Sequence, residues 1–217
     1  GSDVAKSAAD LVLLDDNFKT IVVAIEEGRR ILSNIRKAFT YLMSSASNGV
    51  ILLGGSLIFA LPLPLTALHI IWINFFTGSL PALSFAFDED FDNHRLKTKG
   101  QRKIFNKEVK ILTAGIGIFS SVLLFIFYYF LLETNLSFGE VRSVIFASFA
   151  LYVVFAVYSF RSLHRPIYSY PVFSNKFLNR SVLFSVIMCG ATLFVPFLRN
   201  IFDLAPMPKI AIWLLPI

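Results

Sequence analysis

The stretch FTYLMSSASNGVILLGGSLIFA, residues 39–60, contains no charged side chain. As a helix it would reach about 33 Å at 1.5 Å per residue, enough to cross about 30 Å of hydrocarbon. A water-soluble core helix rarely needs so long an apolar run, so this stretch reads as a membrane span.

Comparable stretches follow at 65–87, 111–132, 144–160 and 181–198, and residues 210–217 read as the beginning of a sixth. Of the 217 residues, 56% are hydrophobic, 24 are Phe and only 16% are charged, which leaves too little charge to cover a water-soluble surface. The fold class that follows is an all-α polytopic membrane helix bundle embedded in the lipid bilayer. None of the five full spans contains an Asp or a Glu.

The net charge of +6 does not point to nucleic acid, because the basic residues alternate between connections instead of clustering with aromatics on one surface. Seventeen of the twenty Lys and Arg fall in residues 1–38, 88–110 and 161–180; the others are Arg142, Arg199 and Lys209. By the positive-inside rule those three segments are cytoplasmic, and the turns near Pro62, Thr134 and Pro206 face outward. The amino end is therefore expected in the cytoplasm, and the membrane is expected to be a bacterial plasma membrane. The single cysteine, Cys189, lies in an apolar span and is assigned to packing.

Ahead of the first span the pattern changes. Residues 11–14 form a short apolar run between Asp10 and the turn formers Asp15, Asp16 and Asn17, which reads as a buried strand leading into a helix. From Phe18 the apolar residues Ile21, Val22, Ile25, Leu32, Ile35 and Phe39 recur at helical spacing, with Arg29, Arg30, Arg36 and Lys37 mostly on other faces. No Pro or turn cluster intervenes, so 18–59 is expected to be one helix, of which 18–38 projects from the membrane as a stalk. Residues 88–110 read as a solvated connection. Absence of an initiator Met or signal-like segment at Gly1, and an end inside an apolar run, make both termini look like truncations. No internal repeat is visible, which disfavours a secondary transporter.

Residues 1–6 (GSDVAK), 8–18 (AADLVLLDDNF) and 26–30 (EEGRR) closely resemble the end of the phosphorylation domain of cation-transporting P-type ATPases, the calcium-pump-like branch above all. The resemblance continues through 34–37 (NIRK), 41–45 (YLMSS), 62–66 (PLPLT), 72–74 (WIN), Thr77 and 80–82 (LPA), and beyond residue 92 it is one of topology only. It implies that 1–17 end a haloacid-dehalogenase-like α/β domain. Residues 39–217 would then be the fifth to ninth membrane helices with the start of the tenth.

The same resemblance implies a parent protein that uses ATP and Mg²⁺, with the transported cation and the remaining pump domains as partners. The D-K-T-G-T aspartate that accepts phosphate in this family is not in this sequence. No catalytic or cofactor-binding residue is therefore assigned here. Asp3, Asp15 and Asp16 read as turn and cap residues.

The candidate ion path comprises Asn74 and Thr77, three residues apart and expected on one helical face, with Ser44, Ser45, Ser47 and Asn48 in the first span. Interhelical hydrogen bonding is the alternative role for these small polar residues. His69 is expected at the membrane interface. Against the family pattern, in which relatives carry a carboxylate near Gly49, an Asn near Ala46 and an Asp at Gly78, this sequence has none of the three. That departure leaves open a diverged, non-transporting membrane scaffold that retains the pump fold.

Overall fold

The computed structural model describes residues 3–10, 12, 17–88 and 107–208. Most of the expected strand at 11–14, most of the 88–110 connection and the incipient span at 210–217 lie outside these residues. Among the described residues every regular element is helical, and five helical segments are long and apolar enough to cross a membrane.

A short helix, α1 (Asp3–Ser7), precedes α2 (Phe18–Ile58), a single 41-residue helix, as expected from a sequence with no internal breaker. Asn17 caps it by accepting a hydrogen bond from the Lys19 amide. It ends in a left-handed residue, Ala60 (φ 52°), while the Leu61 amide reaches back 2.8 Å to the Ser56 carbonyl. The chain reverses at Pro62 and the second span runs antiparallel to α2.

That second span is not a uniform helix. It consists of α3 (Ala67–Trp72), a π-helical stretch (Ile73–Ser79), α4 (Leu80–Leu83) and a 3₁₀ turn (Ser84–Phe87). Pro81 supplies a cause: it has no amide hydrogen to give the Thr77 carbonyl, and its ring crowds that carbonyl, so the helix widens ahead of it.

α5 (Lys107–Leu132) packs along α2. The approach is close because α5 offers Gly117: a Cβ there would lie 3.0 Å from Ser47 Oγ and 3.2 Å from the Ser44 Cα. α6 (Phe138–Ser159), opened by a capping box between Ser137 and Glu140, is the most enclosed span. Its Val144, Ile145, Phe146, Ala150, Val154 and Val157 are all fully buried.

α7 (Lys176–Phe194) stops earlier than the apolar pattern to residue 198 suggests. Val195 precedes Pro196 and takes up an extended conformation, so the chain breaks before the short α8 (Pro196–Ile201). The core thus lies where α6 meets α2, the second span and α7.

Candidate functional site

Tyr41 is the junction of the three central spans. Fully buried on α2, it places its hydroxyl 3.0 Å from the Thr77 carbonyl of the π turn and 2.9 Å from the Val153 carbonyl of α6. The Thr77 carbonyl is the one that Pro81 deprives of its helical donor, and Tyr41 takes over that role. The hydroxyl lies within the sequence motif at 41–45, but nothing in the sequence says that it bridges two other helices.

Ser45 and Asn48 lie one and two turns beyond Tyr41 on the same stripe of α2. The Ser45 hydroxyl donates to the Tyr41 carbonyl (2.8 Å), Ser47 to Met43 (3.0 Å), and Thr77 to Ile73 (2.7 Å). Ser44 instead donates across the helix pair to the Thr113 carbonyl of α5 (3.4 Å). A hydroxyl that donates to its own helix presents its lone pairs outward, the polarity a cation requires.

Asn48 shows the same polarity more strongly. Its amide Nδ2 donates to the Ser44 and Ser45 carbonyls (3.2 and 3.4 Å), while its Oδ1 is buried with no hydrogen-bond donor.

Asn74 and Thr77 do not share a face. A three-residue step leaves side chains about 60° apart around an α-helix but roughly 110–120° apart where bonds run i to i+5 and the helix is wider. Thr77 is accordingly fully buried, whereas Asn74 is exposed and donates its Nδ2 to the Ile70 carbonyl at 2.9 Å. The Ser79 hydroxyl donates to the Asn74 carbonyl at 2.9 Å. Gly78, buried between them, has room: a Cβ would have its nearest neighbour, the Ile73 carbonyl oxygen, at 3.8 Å.

His69 does not face outward from the bundle. It is completely buried: Nδ1 accepts the Thr66 amide hydrogen (3.1 Å), and Nε2 lies 2.6 Å from the Phe202 carbonyl, to which it donates. With both nitrogens engaged, it joins the start of α3 to the turn after α8 and has none left for a metal. Among the described residues no cluster of three or more His, Cys, Asp or Glu is arranged for a metal ion.

A second polar centre lies at the end of the bundle that carries Asp88. Arg36 and Lys37, expected on exposed faces of α2, are buried, and so is Asp88, expected to open a solvated connection. Arg161 follows α6 by two residues. Its Nε lies 3.0 and 3.2 Å from the two Asp88 carboxylate oxygens, and its Nη2 lies 2.5 Å from Oδ1.

The remaining guanidinium hydrogens of Arg161 go to the Pro171 and Val172 carbonyls and to Ser174 Oγ. Lys37 Nζ stands 3.9 Å from Asp88 Oδ2, Asn34 donates to the Asp88 carbonyl (3.2 Å), and Asn175, the cap of α7, donates to Ser84 and Asp88. In the sequence the only signal was charge at the margins of apolar runs, which the positive-inside rule absorbed entirely.

Five apolar helical segments around a buried core define a multi-pass integral membrane protein. The family described as "Cation transporting ATPase, C-terminus" matches residues 62–217, and this chain belongs to it. It is 35% identical over 208 residues to the calcium-transporting ATPase of Bacillus subtilis (strain 168), covering 93% of this chain and 23% of that protein.

Calcium-transporting ATPase 1 of Bacillus cereus (strain ATCC 10987 / NRS 248) is 36% identical over 220 residues, covering 93% of this chain and 25% of that protein. A sodium-transporting relative, P-type sodium-transporting ATPase4 of Toxoplasma gondii (strain ATCC 50861 / VEG), is 43% identical over 97 residues, or 45% of this chain and 7% of that protein. The chain thus spans about a quarter of the length of the first two.

Proposed function

We propose that this chain is the membrane part of an ATP-driven cation transporter, contributing part of the ion path and the stalk that couples it to ATP hydrolysis. Residues 1–17 would end the phosphorylation domain, 18–38 form the stalk and 39–217 the transmembrane domain. The Asp88 end of the bundle would face the cytoplasm, because the basic residues gather there. ATP and Mg²⁺ belong to the parent protein. The sequence contains no D-K-T-G-T segment to accept phosphate, and no step of phosphoryl transfer is assigned to it.

The observation that carries the reading is Asn48 Oδ1, a buried carbonyl oxygen without a donor in a membrane span. Leaving an acceptor unpaired in so dry a place costs about 1–3 kcal/mol unless something positive visits it. With Ser45 and Thr77 it would form a stripe of neutral oxygens, to which Ser44 and Ser47 would add from the side facing α5. Asn74 extends that stripe toward a surface that helices outside this chain would cover. Relatives named for calcium and for sodium support a cation as cargo. The neutral lining favours a monovalent ion, or a divalent one whose countercharge comes from those other helices.

In the full-length protein, Asn48→Leu and Asn74→Leu should each abolish cation stimulation of ATP hydrolysis while the protein remains monodisperse in detergent. Gly78→Asp, at the position with room for a side chain, should raise divalent-cation affinity. Wild-type ion dependence in all three rejects the path. One observation favours a second reading, a pump-like scaffold that moves no ions: the five spans contain no carboxylate. Such a scaffold would show no cation-stimulated turnover in the wild type.

A further inference from the structure

Asp88 is a carboxylate with 2% of its surface exposed, and both Lys37 and Arg161, the cations around it, are wholly buried. Ion pairs this dry are retained at a cost, since apolar residues of the same volume would hold the same helices equally well or better. What the charges add is a fixed register. An apolar contact tolerates sliding, whereas a displaced buried ion pair leaves its charges uncompensated.

The register involved is that of α2 against the span bearing Asn74 and Thr77. Two ties join these elements: Tyr41 to the Thr77 carbonyl, and Asn34 with Lys37 to Asp88. On the second span they bracket the segment from Leu80 to Phe87. Each tie also has an anchor outside the pair, Val153 for the first and Arg161 for the second.

We propose that Asp88 is a positioning residue: with Lys37 and Arg161 it locks the middle of α2 to the end of the second span and to residues 161–175. Movement of α2 then carries the π turn with it instead of slipping past. Slippage by one helical turn, about 5.4 Å, would break both ties at once. The transport consequence rests on the pump reading above, whereas the mechanical linkage does not.

The experiment uses the full-length protein in lipid nanodiscs, with Lys37→Met and Asp88→Asn. The milder Lys37→Met leaves the Arg161–Asp88 pair in place and keeps the fold testable if Asp88→Asn is lost to misfolding. Amide hydrogen exchange across residues 161–175 is measured first. Lys37→Met should speed it by about tenfold, although Lys37 lies on another helix, because opening the lock frees the segment cooperatively.

The number of cations moved per ATP is measured second and should fall at least about twofold at undiminished hydrolysis, a change that mere loss of stability would not produce. Unchanged exchange at 161–175 in Lys37→Met overturns the lock. Faster exchange with a wild-type transport ratio overturns its role in positioning the path. A wild type without cation-stimulated hydrolysis defeats the pump reading instead, and the exchange measurement still decides the linkage.

Discussion

The two polar centres of this bundle are built on opposite principles. At the Asp88 end, full charges are buried and densely paired, with Arg161 donating to a carboxylate, two carbonyls and a hydroxyl. Within the spans the groups are neutral, most donate to their own helix, and at least one acceptor, Asn48 Oδ1, is left over. Each centre leaves an amide oxygen over, Asn34 Oδ1 beside Asp88 and Asn48 Oδ1 in the span, so the difference lies in charge: a carboxylate between two cations at one, neutral groups alone at the other. Burial alone, nearly equal in the two regions, does not distinguish them.

The comparison breaks most visibly at Arg161. Arg161→Met leaves Asp88 buried beside a single, more distant cation, so thermal unfolding in detergent should show a loss of about 3–5 kcal/mol. Tyr41→Phe, between the two centres, strips the Thr77 carbonyl of its hydrogen bond and should cost about 1–3 kcal/mol by the same assay.

Asn48→Leu sharpens the contrast: relief of the unpaired acceptor, about 1–3 kcal/mol, is offset by loss of the two Nδ2 hydrogen bonds, about 1 kcal/mol each, so stability should change by less than about 1 kcal/mol in either direction. Cation stimulation of ATP hydrolysis should nevertheless be lost. A stability loss as large as that of Arg161→Met would show that Asn48 is a structural residue after all. The smallest effect belongs to Ser45→Ala, whose hydroxyl serves only its own helix in the structure. Less than about 0.5 kcal/mol is expected on unfolding.

Long-range features of the chain were legible because they depend on composition over twenty or more residues. The continuity of α2, for instance, follows from a 41-residue run with no Pro and no turn cluster. The one-face placement of Asn74 and Thr77 failed because it assumed α geometry. Pro81 was in plain view, but whether a proline kinks, ends or widens a helix depends on which neighbour can take the freed carbonyl. Here it is Tyr41, forty residues earlier in the sequence. The burial of His69 was illegible for a related reason: its partner, Phe202, is 133 positions away.

By itself the sequence determined that this chain must live in a membrane, because its apolar runs can satisfy their backbone hydrogen bonds in lipid only as helices. It also determined that no carboxylate stands within the five full spans, a matter of composition alone. Tertiary structure decided which polar groups meet. Lys37 and Arg161 read as ordinary marginal charges until α2, the second span and α6 converge on Asp88. Partner choice is a property of packing in three dimensions, where residues far apart in sequence compete for the same few hydrogen-bonding atoms, and no local pattern encodes it.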